Sequence, residues 1–311
     1  MGQTMQYLSD GRIEVIGQDV PDPGANEVQV TGGACGICSW DLVTAKLGDK
    51  MNPMAPPGHE GVGYVSKIGA EVTDVKEGDR VAGGGFATVR NLSAERLYKI
   101  PESAKPDEQW IVEPVSCAVT GVDHCQIRGG DRVAVVGCGF MGLLITQGLL
   151  HHPLDQLIAI DVVQNRLDVA KQFGVDEVYN TTEVDTAELA ADLKAREIDV
   201  VVDTSGHQGG LDLSTDIVKR GGRINLFGWL KGDTATFDPT KWHMGGFTVV
   251  NSSPSSKIRD TFEAAIRMIH NGVFDLEPLV THTATLEEYP DLMQRLVAGD
   301  PSYIKGVITL G

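Results

Sequence analysis

Basic residues are scarce in this 311-residue chain: 26 Lys and Arg stand against 43 Asp and Glu, for a formal net charge of -17. A surface this acidic repels nucleic acid and anionic lipid, so neither is expected as a partner. Cysteines number only five (Cys35, Cys38, Cys117, Cys125 and Cys138), too few and too irregular for a disulfide framework at this length. Free thiols in a reducing compartment are the expectation. Long apolar runs are missing too. Residues 133–136 and 143–145 fall far short of the roughly 20 residues a bilayer-spanning helix needs. The first twelve residues are mostly polar, without a signal-like apolar core. These absences together predict a cytoplasmic protein that acts on a small molecule. Aromatics are only 6% of the chain, yet total hydrophobic content is an ordinary 41%, and the length allows two domains with separate cores.

Two textures divide the chain. The first hundred residues read as short strands punctuated by Gly and Pro: alternation over 27–31, a Val- and Gly-rich stretch over 61–68, and another strand starting at 79–82. Helical pattern is scarce until 107–124. After Gly129-Gly130 the texture changes. Strands are predicted at 132–136, 157–160, 177–179, 199–203 and 222–228, alternating with helices at 140–151, 164–173, 186–196 and 211–218. That alternation predicts an α/β class with a doubly wound parallel sheet. Helices at 259–271 and 286–298 and a last strand at 304–310 follow, a segment suited to completing the first domain.

The run Gly137-Cys138-Gly139-Phe140-Met141-Gly142 sits between a predicted apolar strand and a predicted helix, and Asp161 ends the next strand. This is the setting of a dinucleotide fingerprint. Gly137 permits the tight turn, Gly139 lets the backbone approach a pyrophosphate, and Gly142 lets helix and strand pack closely. The helix N-terminus adds free N–H groups and partial positive charge. Asp161 would accept hydrogen bonds from the adenosine ribose and repel a 2′-phosphate, which favours NAD over NADP. Arg166 pulls the other way, since an arginine can accommodate that phosphate.

Cys38, His59, Glu60 and Glu113 are residue types that hold a catalytic zinc, which needs three protein ligands and one open position. Their wide spacing differs from the close pairs of a structural finger. Cys35 and Cys38 form a lone C-x-x-C without a second pair or a thioredoxin-like setting.

The segments Cys35-Gly36-Ile37-Cys38-Ser39-Trp40-Asp41, Pro57-Gly58-His59-Glu60-Gly61-Val62-Gly63 and Glu113-Pro114-Val115-Ser116 resemble the zinc-dependent medium-chain dehydrogenase/reductase family. The resemblance continues through Gly221-Gly222-Arg223 to Tyr303-Ile304-Lys305-Gly306. It implies a GroES-like β-rich catalytic domain (1–114 and 250–311) around a Rossmann domain (115–249), with the active site in the cleft between them. It implies that Cys38 and His59 ligate zinc, that Glu60 ligates or swings toward it, and that Glu113 stands at the third-ligand position. Asp41 would orient the histidine. Cys117, Thr204, Gly206, Phe227 and Gly228 would lie around the cofactor, Phe140 and Met141 would line its loop, and Asn251 would lie near the nicotinamide or substrate.

Two departures from the family pattern stand out. No cysteine occurs between Cys38 and Cys117, which implies one catalytic zinc per subunit and no structural-zinc lobe. Trp40 occupies the position where the family usually has Ser or Thr to relay the substrate proton. Indole has no acceptor for that task, so Ser39, Glu60 or water would have to serve, while Trp40 either packs or forms a platform for a sugar or cyclic polyol. The implied activity is hydride transfer between NAD and a secondary alcohol, polyol- or sugar-like or a hydroxy-amino acid, in a homodimer or homotetramer. A zinc-free enone or quinone reductase and a non-catalytic NAD-binding protein are the rival readings on the same fold.

Overall fold

The computed structural model describes residues 2–8, 12–47, 57–228, 234–253 and 258–311, so part of the polar N-terminal segment lies outside it. In chain order the first elements are β1 (Gly2–Tyr7), β2 (Ile13–Gln18), β3 (Glu27–Gly36), α1 (Ser39–Leu47), β4 (Glu60–Ile68), β5 (Arg80–Ala82), β6 (Val89–Ser93), β7 (Tyr98–Lys99) and α2 (Val112–Cys125). Next come β8 (Arg132–Val136), α3 (Phe140–Leu149), β9 (Gln156–Asp161), α4 (Gln164–Phe173), β10 (Glu177–Asn180), α5 (Thr186–Ala195), β11 (Ile198–Asp203), α6 (Gln208–Ile217), β12 (Val218–Leu226), α7 (Pro239–Gly245) and β13 (Thr248–Asn251). The last are α8 (Phe262–His270), β14 (Val280–Thr285), α9 (Tyr289–Ala298) and β15 (Lys305–Thr309).

The chain forms two compact units, Met1–Val115 with Ala265–Gly311, and Ser116–Ala264. In the first, a seven-stranded sheet runs β14-β15-β3-β4-β5-β7, with β6 also paired to β3. Its C-terminal strand β15 pairs antiparallel with β3, so residues at the two ends of the sequence share one sheet. Met5, Cys35, Ile37, Phe86, Tyr289, Leu292 and Ile308 share one core there. In the second unit, six parallel strands run β10-β9-β8-β11-β12-β13. This is the doubly wound order, whose strands are covered on both faces and therefore read as continuous Val and Ile runs. Ala134, Val136, Ile158, Ile160, Val201 and Ile224 pack with Leu189, Leu193, Leu213 and Ile217 from the helices.

Strand β8 and helix α4 fall where the sequence puts them, because apolar runs and the Gly174 cap in the left-handed region (φ 104) mark their ends. Others differ. The helix expected at 211–218 ends at Ile217, and β12 begins at once with Val218, which is buried in the sheet core. An apolar residue at such a junction fits either period. The second unit runs to Ala264, and β13 at 248–251 pairs parallel with β12 at the edge of its sheet. Helix α1 has no counterpart among the expected elements. It opens at Ser39 with two residues of strong β preference close by, Trp40 and Val43, and no Gly or Pro bounds it in its described residues.

Candidate metal and cofactor sites

Strand pairing brings the candidate metal ligands together. β3 and β4 run antiparallel with Gly36 opposite Glu60, and β15 places Val307 opposite Gly36 on the other side. Cys38 follows two residues after β3, at the start of α1, and His59 immediately precedes β4. As a result the ligand atoms of Cys38, His59 and Glu60 lie within 4.8 Å of one another. Cys38 is half-buried, His59 exposed and Glu60 buried. Thiolate, imidazole and carboxylate are a donor set suited to zinc, and one exposed ligand leaves an open side. Glu113 lies outside this trio. It sits half-buried in the first turn of α2, where it has interactions of its own.

Burial pushes the Cys38 thiol up to about 12, and the Glu60 charge adds to the shift. A metal ion reverses that preference by favouring the thiolate. Asp41 is 3% exposed and accepts a 2.8 Å hydrogen bond from the Cys38 amide. Burial pushes its carboxyl up to about 6, against the Cys38 hydrogen bond and the His59 charge. Asp41 thus anchors the backbone of one ligand, and the His59 charge favours its ionised form.

Lys305 is the residue that sequence reasoning did not place in the site. Its ammonium lies 2.5 Å from Glu60 Oε2, with the two side chains 3% and 2% exposed, and it donates to the Ile37 carbonyl at 2.9 Å. Burial by itself would lower this lysine, yet the Glu60 charge holds it above its ordinary value. The signal was present: a lone charge in an apolar terminal strand, buried where lysine almost never is without a partner. Gly36 is explained by the same pair. A Cβ there would stand 2.0 Å from Glu60 Oε2 and 3.0 Å from Lys305 Cε.

Trp40 is not packed away: 47% of it is exposed, in the first turn of α1. Ser39 beside it is exposed as well.

In the second unit, Gly137 follows β8 with φ +94, and its amide donates to the Ile160 carbonyl. A Cβ on Gly142 would stand 2.0 Å from the Gly137 carbonyl, so α3 can pack this close only with glycine there. Gly139 is the N-cap of α3, and a Cβ on it would meet nothing within 4 Å. The loop therefore leaves open space where a pyrophosphate would approach free helix N–H groups. Phe140 is buried and Met141 half-buried. Asp161, 7% exposed at the end of β9, accepts hydrogen bonds from the amides of Cys138 and Val163, and Arg166 Nη1 stands 3.9 Å from its Oδ1. A carboxylate offers about four acceptor positions, so these leave room for a ribose hydroxyl. Thr204, after β11, donates to the Gly137 carbonyl. Gly206 adopts φ +65, and a Cβ on Gly228 would stand 2.5 Å from its amide. Phe227 follows β12 and packs on Gly121 of α2. Cys117 is half-buried in α2, and Asn251 ends β13 exposed.

Residues 24–102 match the family model of the alcohol dehydrogenase GroES-like domain, and residues 141–271 that of the zinc-binding dehydrogenase. The chain is 25% identical over 330 residues to D-arabinitol dehydrogenase 1 of Uromyces fabae, covering 94% of this chain and 93% of that one. It is 26% identical over 319 residues to L-threonine 3-dehydrogenase of Bacillus velezensis, covering 89% and 90%. A solved oxidoreductase/dehydrogenase of unknown specificity from Escherichia coli superposes with a TM-score of 0.90 at 22% identity, covering 99% of each chain. No helix among the described residues is long and apolar enough to cross a membrane. With both domain types matched along most of the chain, a donor trio between the end of β3 and the start of β4, and a glycine loop opening α3, this chain belongs to the zinc-dependent medium-chain dehydrogenase/reductase family.

Proposed function

We propose that the protein is a zinc-dependent, NAD-linked dehydrogenase that oxidises a secondary alcohol group of a polyol or sugar-like substrate to the ketone. The observation that carries this reading is the convergence of Cys38, His59 and Glu60 within 4.8 Å. These three would hold the zinc, with Glu60 Oε2 directed to Lys305 and its other oxygen left for the metal. Bound there, zinc supplies Lewis acidity that lowers the pKa of an alcohol hydroxyl, and the nicotinamide supplies the hydride acceptor. The chain's own residues do the rest. Lys305 fixes the Glu60 carboxylate, Asp41 fixes the Cys38 backbone, and the Gly137–Gly142 loop with Asp161 fixes the adenosine and pyrophosphate half of the dinucleotide. Trp40 has no proton acceptor. The exposed Ser39 hydroxyl and solvent are left to take the alcohol proton.

The polyol class is supported by the exposure of Trp40 two residues after Cys38. An indole face packs against the C–H faces of polyols and cyclic sugars, and its large area suits a substrate longer than a simple alcohol. The test is a panel of secondary alcohols, polyols, sugars and hydroxy-amino acids assayed with zinc and NAD by absorbance of the reduced cofactor. Trp40→Ala is expected to raise KM for the best polyol about tenfold, the scale of a lost aromatic contact, and to leave 2-propanol turnover unchanged. Equal losses on both substrates would remove the platform role. No turnover of any panel member by zinc-loaded wild type would remove the dehydrogenase reading.

NAD is the cofactor we assign, on the buried Asp161 carboxylate at the end of β9. Asp161→Ala should weaken NAD by about tenfold or more and NADP far less, because a charged hydrogen-bond acceptor and a phosphate repulsion disappear together. Steady-state KM values for both cofactors decide this, and an unchanged ratio would take Asp161 out of the role.

A further inference from the structure

A buried polar chain crosses the second unit without being used by the proposed chemistry. Asn225, in β12 and fully buried, donates through Nδ2 to the Gly121 carbonyl at 2.8 Å. Its Oδ1 is therefore the end that faces Ser252, whose hydroxyl donates to it at 2.7 Å. Ser252 has a single proton, so its other partner, His124 Nδ1 at 2.8 Å, must be the donor. The network fixes the histidine with a proton on Nδ1. His124 and Ser252 are each 6% exposed. Three elements are tied together this way: α2, β12 and the residue immediately after β13. The Ser252 amide adds a 3.0 Å bond to the Leu226 carbonyl.

Position gives this chain its meaning. The strands lie in the order β10-β9-β8-β11-β12-β13. In such a sheet the ligand lies outside the carboxyl ends of the strands, across the point where the order reverses. Asp161 on β9 marks the adenosine side and the loop after β8 marks the pyrophosphate. The nicotinamide half then runs over the carboxyl ends of β11, β12 and β13, where Thr204, Phe227, Gly228 and Ser252 follow their strands. Phe227 itself packs on Gly121, whose carbonyl receives Asn225.

We infer that the His124–Ser252–Asn225 chain is a positioning device that holds Ser252, at the carboxyl end of β13, against α2 so that the nicotinamide half of the cofactor meets a preformed surface. The inference rests on the dinucleotide reading above. Losing the serine hydroxyl leaves the His124 N–H and the Asn225 carbonyl buried without their partner, so the backbone at residue 252 shifts as they find others. The adenosine and pyrophosphate contacts, on the far side of the sheet order, are untouched.

The test compares two probes on the zinc-loaded full-length protein: NADH, followed by its fluorescence, and ADP-ribose, which lacks the nicotinamide, followed by calorimetry. Ser252→Ala is expected to weaken NADH about tenfold and to leave ADP-ribose within about twofold. Ser252→Thr, which keeps the hydroxyl, and the separate variant His124→Gln, which keeps an N–H donor, should each retain most of the wild-type NADH affinity. Parallel loss of both probes in Ser252→Ala would make the network merely structural and overturn the inference, as would no loss of either. Wild type that binds neither probe would overturn the dinucleotide reading itself, an outcome separate from any difference between variant and wild type.

Discussion

His59→Ala abolishes alcohol oxidation, by about a thousandfold or more, while NADH binding stays within about twofold of wild type; the size is that of losing a metal's stabilisation of developing charge, several kcal/mol at 1.36 kcal/mol per decade. The separation of the two effects follows from where the residues lie. His59 belongs to the first unit and the glycine loop to the second. The side chain is exposed, so its removal opens no cavity and the fold should be intact. Turnover on the best panel substrate, zinc content of the purified protein and NADH fluorescence are the three readings. Full turnover in His59→Ala would end the zinc mechanism.

Lys305→Met destabilises the metal-free protein by about 3–5 kcal/mol, the cost of leaving one partner of a buried ion pair uncompensated. Glu60 is 2% exposed and would be left without the ammonium. The double variant Lys305→Met, Glu60→Gln should be more stable than Lys305→Met alone, because an uncharged amide is cheaper to bury than a carboxylate. Zinc should recover part of the loss in the single variant, since a second cation then faces the same carboxylate and binding favours the folded state. The pH behaviour has a definite sign. Glu60 raises the folded lysine above its ordinary value, so its stabilisation is fully present below the unfolded lysine value of about 10.4 and is lost only as pH rises through the higher folded value. The Lys305→Met penalty should therefore be flat up to about pH 9 once pH is well above the range near 6 where Asp41, which also feels Lys305, titrates. Urea unfolding with and without zinc measures all of this, and a penalty under about 1 kcal/mol would mean that the pair is solvated rather than buried.

Much of the second unit was legible because its signals are local. An apolar strand, a glycine loop and an acidic residue at the next strand's end fall within 30 residues, and β8, Gly137, Gly142 and Asp161 stand where the sequence places them. The metal trio was legible only in residue type. Cys38 and His59-Glu60 are 21 residues apart, and nothing in that spacing says which carboxylate joins them. The register of β3 on β4 brings Glu60 opposite Gly36 and so beside Cys38 and His59, while Glu113 lies in the first turn of α2. Helix α1 was missed because its opening residues carry no clear helical signal, although it carries both Trp40 and Asp41.

The amino-acid sequence by itself determined the class, the family and the residue types of both sites, because local periodicity and short motifs are written in neighbouring residues. Tertiary structure decided what those residues have for neighbours. It set Lys305, near the last residue of the chain, against Glu60; it left Trp40 half in solvent; and it joined His124 to Ser252 across more than a hundred positions. The physical reason is the same in each case. A buried charge or polar group must find its partner in space, and strand pairing between distant segments fixes that choice.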